Sequence, residues 1–301
     1  CLVVGLGSWL LMGRALDPVR RITRTAASIS HEDLTRRIGY SGPRDEIGEL
    51  ALTMDAMLDR LQSAFATQEQ FISDASHELR TPLTIIKGHL QVLDRQESPD
   101  PAFVKQEHGL VIEELDRMNR LVADLLTLAR ATRVDFLRKE SIDLDGFLQS
   151  LVAQGPHLGE RTWVLDSLAG GSVRADQDRL TQVFLNLINN SIDAMEKRGG
   201  EIVVRTRLEE NHLVVDVADN GPGIARANLG RIFDPFFTTK PVGKGTGLGL
   251  SICYGIVKKY GGEIEVRSVP EVETTFSVKI PLAKAKPAQT GKKPAGSENP
   301  H

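Results

Sequence analysis

The sequence predicts an all-α dimeric coiled coil and four-helix bundle followed by an α/β sandwich. Three observations predict it. An apolar stripe at heptad spacing runs without a register break from Ile47 to Leu79, and a second amphipathic helix follows after a short turn. Beyond Thr132 the period changes to short strands alternating with helices. At 301 residues and 41% hydrophobic content, the chain has room for two or three units of ordinary domain size with packed cores. Its 37 basic and 40 acidic side chains, net −3, give no broad positive field, so nucleic acid is not an expected partner. Cys1 and Cys253 fit neither a metal-ligand spacing nor a disulfide framework, which suits a reducing cytosolic setting.

The chain opens on CLVVGLGSWLLM, an uncharged run followed by Arg14, Arg20, Arg21 and Arg24. It is shorter than the roughly 20 residues a bilayer core requires and has no initiator Met, so residues 1–13 read as the end of a cut membrane helix. The basic residues after it place the remainder on the cytoplasmic side. Pro18 can open a helix with Val19, Ile22, Ala26 and Ile29 at coiled-coil spacing, and a polar connector broken by Gly39, Gly42 and Pro43 follows. The next helix starts near Ile47, and Ala51, Met54, Leu58, Leu61 and Phe65 lead through Gln68, Ile72, Ala75 and Leu79 in steps of four and three. One continuous helix packed on a partner copy is expected, able to carry a rotation or tilt along its length. ESPDP forms a turn, and Val111, Leu115, Met118, Val122, Leu125 and Ala129 mark the returning helix. The two make a hairpin whose apolar faces a homodimeric bundle would cover.

After Thr132, strands are expected at Val134 to Arg138, near Trp163, and from Glu201 and Leu213, with two closing strands near Glu263 to Val269 and Thr274 to Ile280. Helices are expected from about Leu144, Asp176 and Leu248. The Lys-, Pro- and Gly-rich end has no apolar rhythm and reads as a disordered tail.

Within FISDASHELRTPLTII the stripe is Ile72, Ala75, Leu79, Leu83, Ile86, Leu90 and Leu93. His77 lies about 500° round the helix from Ile72 at 3.6 residues per turn, so it faces solvent. Glu78 sits beside it, and Thr81 is one turn on along the same face. Pro82 lacks the amide that would bond the carbonyl of residue 78 and should loosen or kink the helix there. An exposed imidazole near neutral pKa offers a nitrogen for attack while Glu78 takes a hydrogen bond from the other.

In DRLTQVFLNLINNSIDAMEK the apolar face is Leu180, Val183, Phe184, Leu187, Ile188 and Ile192, and Asn186, Asn190 and Asp193 share an adjoining face. An amide carbonyl is a hard oxygen ligand suited to Mg²⁺, and Asn190 is the choice for it. The strand from Leu213 runs into Asp219-Asn220-Gly221-Pro222-Gly223, where a carboxylate at a strand end can accept from an adenine amino group. Gly243 to Leu250 precedes a helix; its Gly245, Thr246, Gly247, Leu248 and Gly249 cluster backbone N–H groups for phosphate, with Lys240 and Lys244 adding charge. Between the glycine clusters, Phe233 and Phe237 flank an aromatic block that could anchor a mobile lid or be buried core.

Taken in order, these segments resemble the membrane-bound sensor histidine kinases of two-component signalling. HELRTP is similar to the H box, NLINNSIDA to the N box, DNGPGI and GTGLGLSI to the two glycine boxes and FDPFFTTK to the F box. The likeness runs across about residues 66 to 282, and residues 14–66, with Pro18 and DEIGEL, look like a HAMP linker. Ser191 departs from the alanine usual after the metal-binding asparagine, and the sensor region is missing. The resemblance implies a HAMP-like linker at 14–66, a dimerisation and phosphotransfer hairpin at 67–132, a Bergerat-type ATP-binding domain at 133–283 and a tail at 284–301. It implies that His77 takes the γ-phosphoryl group of Mg·ATP and passes it to an aspartate of a response regulator. Thr81 with Glu78 would orient water to dephosphorylate that regulator, and a large swing about the linker near Thr132 would bring ATP to His77. A bacterial inner-membrane location and a homodimer are implied as well. The alternatives are an ATPase clamp of the gyrase and Hsp90 type, without phosphohistidine, and a non-catalytic dimeric scaffold.

Overall fold

The computed structural model describes residues 17, 19–20, 22–28, 33–43, 45–96, 100–131, 136–155, 161–166, 170–195, 199–241 and 245–282. The expected membrane remnant, Pro18, Ile29, Lys244 and the tail lie outside them. No helix among the described residues is long and apolar enough to cross a membrane. The chain divides into two compact units, Cys1–Arg80 and Thr81–His301.

The first unit holds α1 (residues 22–28), an extended connector, and the start of α2 (Glu46–Asp94). Asp45 caps α2 by accepting from the Gly48 amide at 3.0 Å. Glu46 and Glu49 lie in its first turn, where the helix dipole favours negative charge. The connector is tied to α2 by polar contacts. Asp55 accepts from the amides of Ile38 and Gly39 at 2.6 and 3.1 Å, and the Arg37 guanidinium reaches Asp59 at 2.6 Å. Among the described residues, Ile22 and Ala51 are the buried hydrophobic side chains of this unit.

The expected single helix is 49 residues long and passes through Pro82 without interruption. In the second unit its continuation and α3 (Pro101–Ala131) form the hairpin, joined by His89 Nδ1 and Glu107 Oε2 at 2.6 Å. The stripe on α2 is only partly covered within one copy: Ile86 is buried, whereas Leu83 and Leu90 are exposed. On α3 the buried residues are Glu107 and Leu121. Leu115 and Val122 of the seam read from the sequence are exposed in a single copy.

The remainder is an α/β sandwich. Its elements are β1 (Glu140–Asp143), α4 (Leu144–Ala153), β2 (Thr162–Leu165), β3 (Ser172–Ala175), α5 (Gln177–Met195), β4 (Glu201–Glu209), β5 (His212–Asp219), α6 (Gly249–Lys259), β6 (Glu263–Val269) and β7 (Glu273–Pro281). The main sheet has the order β2-β4-β5-β7-β6, with β2 parallel to β4 and the other pairs antiparallel. The expected strand at Val134 to Arg138 is displaced. Its described residues from Phe136 carry no strand, and pairing begins at Glu140, where β1 joins β3 in a separate two-stranded sheet. That partner, β3, is too short to have stood out in the sequence.

Alternation of side chains gives the sheet one inner face. Leu213, Val215 and Val217 lie opposite Ile280, Val278 and Phe276, and Leu180, Val183, Phe184, Leu187 and Ile188 of α5 are wholly buried over them. Truncating one such side chain costs about 2–5 kcal/mol. The other face carries a polar row: Arg205 opposite Asp216, and Asp216 opposite Ser277. Buried Asp216 accepts from Ser277 Oγ at 2.6 Å and pairs with Arg207.

Candidate functional site

The reactive hairpin residues are placed as their spacing requires. His77 is exposed on α2, Glu78 is half-buried, and Thr81, one helical turn on, is half-buried.

The residues expected to bind nucleotide converge on α5. Asp176 caps this helix, accepting from the Arg179 amide at 3.1 Å, and the apolar face fixes its rotation over the sheet. That rotation leaves an adjoining margin to Asn186, Asn190 and Asp193, while Ser191 lies buried on the apolar face itself. Three polar residues of the helix each reach a different segment of the chain. Asn186 donates from Nδ2 to the Gly249 carbonyl at 3.3 Å, Ser191 donates to Asp219 Oδ2 at 2.7 Å, and Asp193 accepts from Lys240 Nζ at 2.6 Å. Asn190, one turn from Asn186 and next to Ser191, is half-buried among these links.

Asp219 ends β5 and is buried. Its Oδ1 accepts from the Gly221 amide at 3.0 Å, so both carboxylate oxygens have a donor. Burial pushes the carboxyl above the ordinary aspartate range, and the bonds from Ser191 and Gly221 pull it back. Gly223, at φ 77°, packs on the backbone of Pro270, which holds the turn after β5.

Phosphate-binding capacity lies at the start of α6. Its capping residue, Leu248, is buried and supplies no side-chain cap, so the first amides of α6 keep their donor capacity at the positive helix end. Gly247 is at φ 67°, and a Cβ there would stand 2.4 Å from the carbonyl carbon of Phe236; no other residue fits. Gly245 lies beside Lys240 and Thr238. Thr246 Oγ1 accepts from the Leu248 amide at 3.3 Å and donates to Asp124 of α3 at 3.5 Å. Burial raises the Asp124 carboxyl, opposed by the Thr246 bond and by Arg120. The aromatic block is packed in place: Phe233 lies 5.6 Å from the Tyr254 ring, and the Arg231 guanidinium sits 4.8 Å over Phe237.

An acceptor at a strand end, an uncapped helix start and amide oxygens on one helix margin together suit a base, a phosphate chain and a hard cation. Two participants were not foreseen. Ser191 read as a small departure, yet it holds Asp219; Asp124 lay unremarked on α3, because its partner is 122 residues away in sequence.

Comparison with known proteins identifies the families that the chain's segments match. Residues 175–284 match the family of histidine kinase-, DNA gyrase B- and HSP90-like ATPases, residues 67–133 the His Kinase A phospho-acceptor domain, and residues 10–63 the HAMP domain. The chain is 34% identical over 265 residues to the sensor protein CutS of Streptomyces coelicolor, covering 86% of this chain and 64% of CutS. It is 30% identical over 282 residues to the signal transduction histidine-protein kinase ArlS of Staphylococcus epidermidis, covering 91% of this chain and 62% of ArlS. The chain thus spans a little under two thirds of these relatives' length. Histidine kinase ThkA, solved in complex with response regulator protein TrrA, superposes with a TM-score of 0.61 at 25% identity, covering 74% of this chain and 64% of that one.

Proposed function

The chain belongs to the two-component sensor histidine kinases, carrying HAMP, phospho-acceptor and ATPase domains in that order, and from that membership we propose that it phosphorylates His77 from ATP and passes the phosphoryl group to an aspartate of a response regulator. The observation that supports the reading best is the convergence on α5, which gathers the N box, both glycine boxes and Lys240 through three polar links.

In this reading, Asp219 accepts a hydrogen bond from the adenine amino group. The amides at the start of α6, with Lys240 and Lys244, hold the phosphate chain. Gly245, Thr246, Gly247, Leu248 and Gly249 shape that cradle, and Phe233 and Phe237 wall it. Asn190, whose amide oxygen is a hard donor, would ligate Mg²⁺, and the ion when bound would neutralise phosphate charge. An imidazole nitrogen of His77 attacks the γ-phosphorus. The P–N bond forms as the bond to the ADP oxygen breaks, and Glu78 accepts a hydrogen bond from the other ring nitrogen and stabilises the imidazolium that develops. The histidine then gives its phosphoryl group to the regulator's carboxylate. Thr81 with Glu78 would orient a water for the reverse duty, dephosphorylating that regulator.

A homodimer is part of the proposal, because Ile72, Leu83 and Leu90 on α2 and Ile112 and Leu126 on α3 remain exposed in one copy. So is attachment to the cytoplasmic side of a membrane through the apolar residues at the start of the chain.

The test is incubation with γ-labelled ATP. Acid-labile, base-stable label should appear in the wild-type chain and vanish in His77→Gln, while ATP binding persists. Label at full level in that variant would remove His77 from its role, and ATP turnover without any phosphoprotein would favour the ATPase clamp.

A further inference from the structure

We infer that Ser191 is a positioning residue for base recognition: its bond to Asp219 holds that carboxylate as a pure acceptor and so makes the site select 6-amino over 6-oxo purines. The inference rests on the reading of Asp219 as the base-binding residue.

A hydroxyl inside a helix has a ready local partner in the carbonyl four residues back. Among the described residues, several helical hydroxyls take it: Thr53, Ser63, Ser76, Thr127 and Thr181 donate to the carbonyls of Glu49, Asp59, Ile72, Ala123 and Gln177 at 2.8 to 2.9 Å. Ser191 does otherwise. It spends its single proton across the domain on Asp219 Oδ2 at 2.7 Å, and both residues are buried, so water does not compete. A charge-assisted bond of this length is stronger than a neutral hydroxyl-to-carbonyl bond.

The consequence follows from hydrogen-bond polarity. The exocyclic group of adenine donates, whereas the 6-oxo group of guanine accepts. An ionised Asp219 therefore attracts the first and repels the second. A protonated Asp219 could donate to a 6-oxo group and would lose this discrimination. Burial favours the protonated form, and among the described residues the Ser191 hydroxyl and the Gly221 amide donate against it. The amide is part of the backbone. Ser191 is thus the side chain that decides which form the site presents.

The experiment measures Mg²⁺-containing ADP and GDP binding by titration calorimetry to the full chain, to Ser191→Ala, to Asp219→Asn and to the double variant. Ser191→Ala should weaken ADP binding several-fold and narrow the ADP-to-GDP preference by about tenfold, and in the Asp219→Asn background the same substitution should leave the preference unchanged. An unchanged preference in Ser191→Ala alone would overturn the inference while leaving Asp219 in its role. An equal loss in both backgrounds would show that Ser191 acts by some route other than Asp219, and would also overturn it. A wild-type chain that binds both nucleotides equally would instead remove the base-binding role of Asp219 itself. A hydroxyl that merely filled space would lower thermal stability without moving the ratio.

Discussion

Asp124 of α3 and Thr246 of the second glycine box are hydrogen-bonded at 3.5 Å, which sets a carboxylate against the loop read as the phosphate cradle. Thr246 cannot orient its proton toward a phosphate oxygen while it donates to Asp124. Phosphate arriving there also meets a like charge, so this contact opposes nucleotide binding. Asp124→Ala is expected to tighten ADP and ATP binding by roughly fivefold, about 1 kcal/mol. Unchanged affinity in a titration at low ionic strength would show that the contact carries no such opposition.

Thr81 separates two activities. Its hydroxyl is one turn from His77 and is not needed for the imidazole to attack phosphorus. Thr81→Ala should keep autophosphorylation within about twofold and reduce regulator dephosphorylation by roughly tenfold or more, the scale of a lost water-positioning contact. Measuring both rates on one preparation checks it, since equal loss of both would make Thr81 a structural residue.

Asn190→Asp replaces an amide by a carboxylate that repels the phosphates Asn190 is read as facing. Mg²⁺-dependent labelling of His77 should fall by roughly a hundredfold, about 2.7 kcal/mol in the transition state. Labelling at the wild-type rate across a Mg²⁺ titration would shift the ligand role to another residue.

Asp219 links function to stability with a definite sign. Its carboxyl is raised above the ordinary value in the folded chain by burial, so the folded state holds the proton more tightly than the unfolded state does. Ionisation therefore costs stability. The cost is absent below the unfolded pKa, grows as pH rises through the window between the unfolded and the raised folded value, and is complete above the folded value. Asp219→Asn should then weaken ADP binding at pH 7.5, to a level still measurable, while leaving the melting temperature equal to or above that of the wild-type chain, and the difference in stability should close as pH falls through the carboxylate range. A variant that melted lower at neutral pH would show that the ionised carboxylate's bonds outweigh its desolvation.

Much of the architecture was legible because it rests on periodicity. The apolar steps from Ile47 onward could mean only a long helix, and α2 runs from Glu46 to Asp94. The apolar run in HLVVDVAD and the alternation in ETTFSVKI announced β5 and β7, and Leu180, Val183, Phe184, Leu187 and Ile188 marked the buried face of α5. The short elements were not legible. β1 and β3 are each 4 residues long and exist because they pair with one another, so local pattern misplaced one and passed over the other.

By itself, the sequence determined the periods, the order of the boxes and the identity of every group capable of chemistry, because these reside in side-chain type and near-neighbour spacing. Only the tertiary structure decided which of those groups meet. Ser191 and Asp219 stand 28 residues apart, and Asp193 and Lys240 stand 47 apart. What joins each pair is the rotation of α5 over the sheet, set by its buried apolar face, and a hydrogen bond acts over about 3 Å of space whatever the length of chain between its partners.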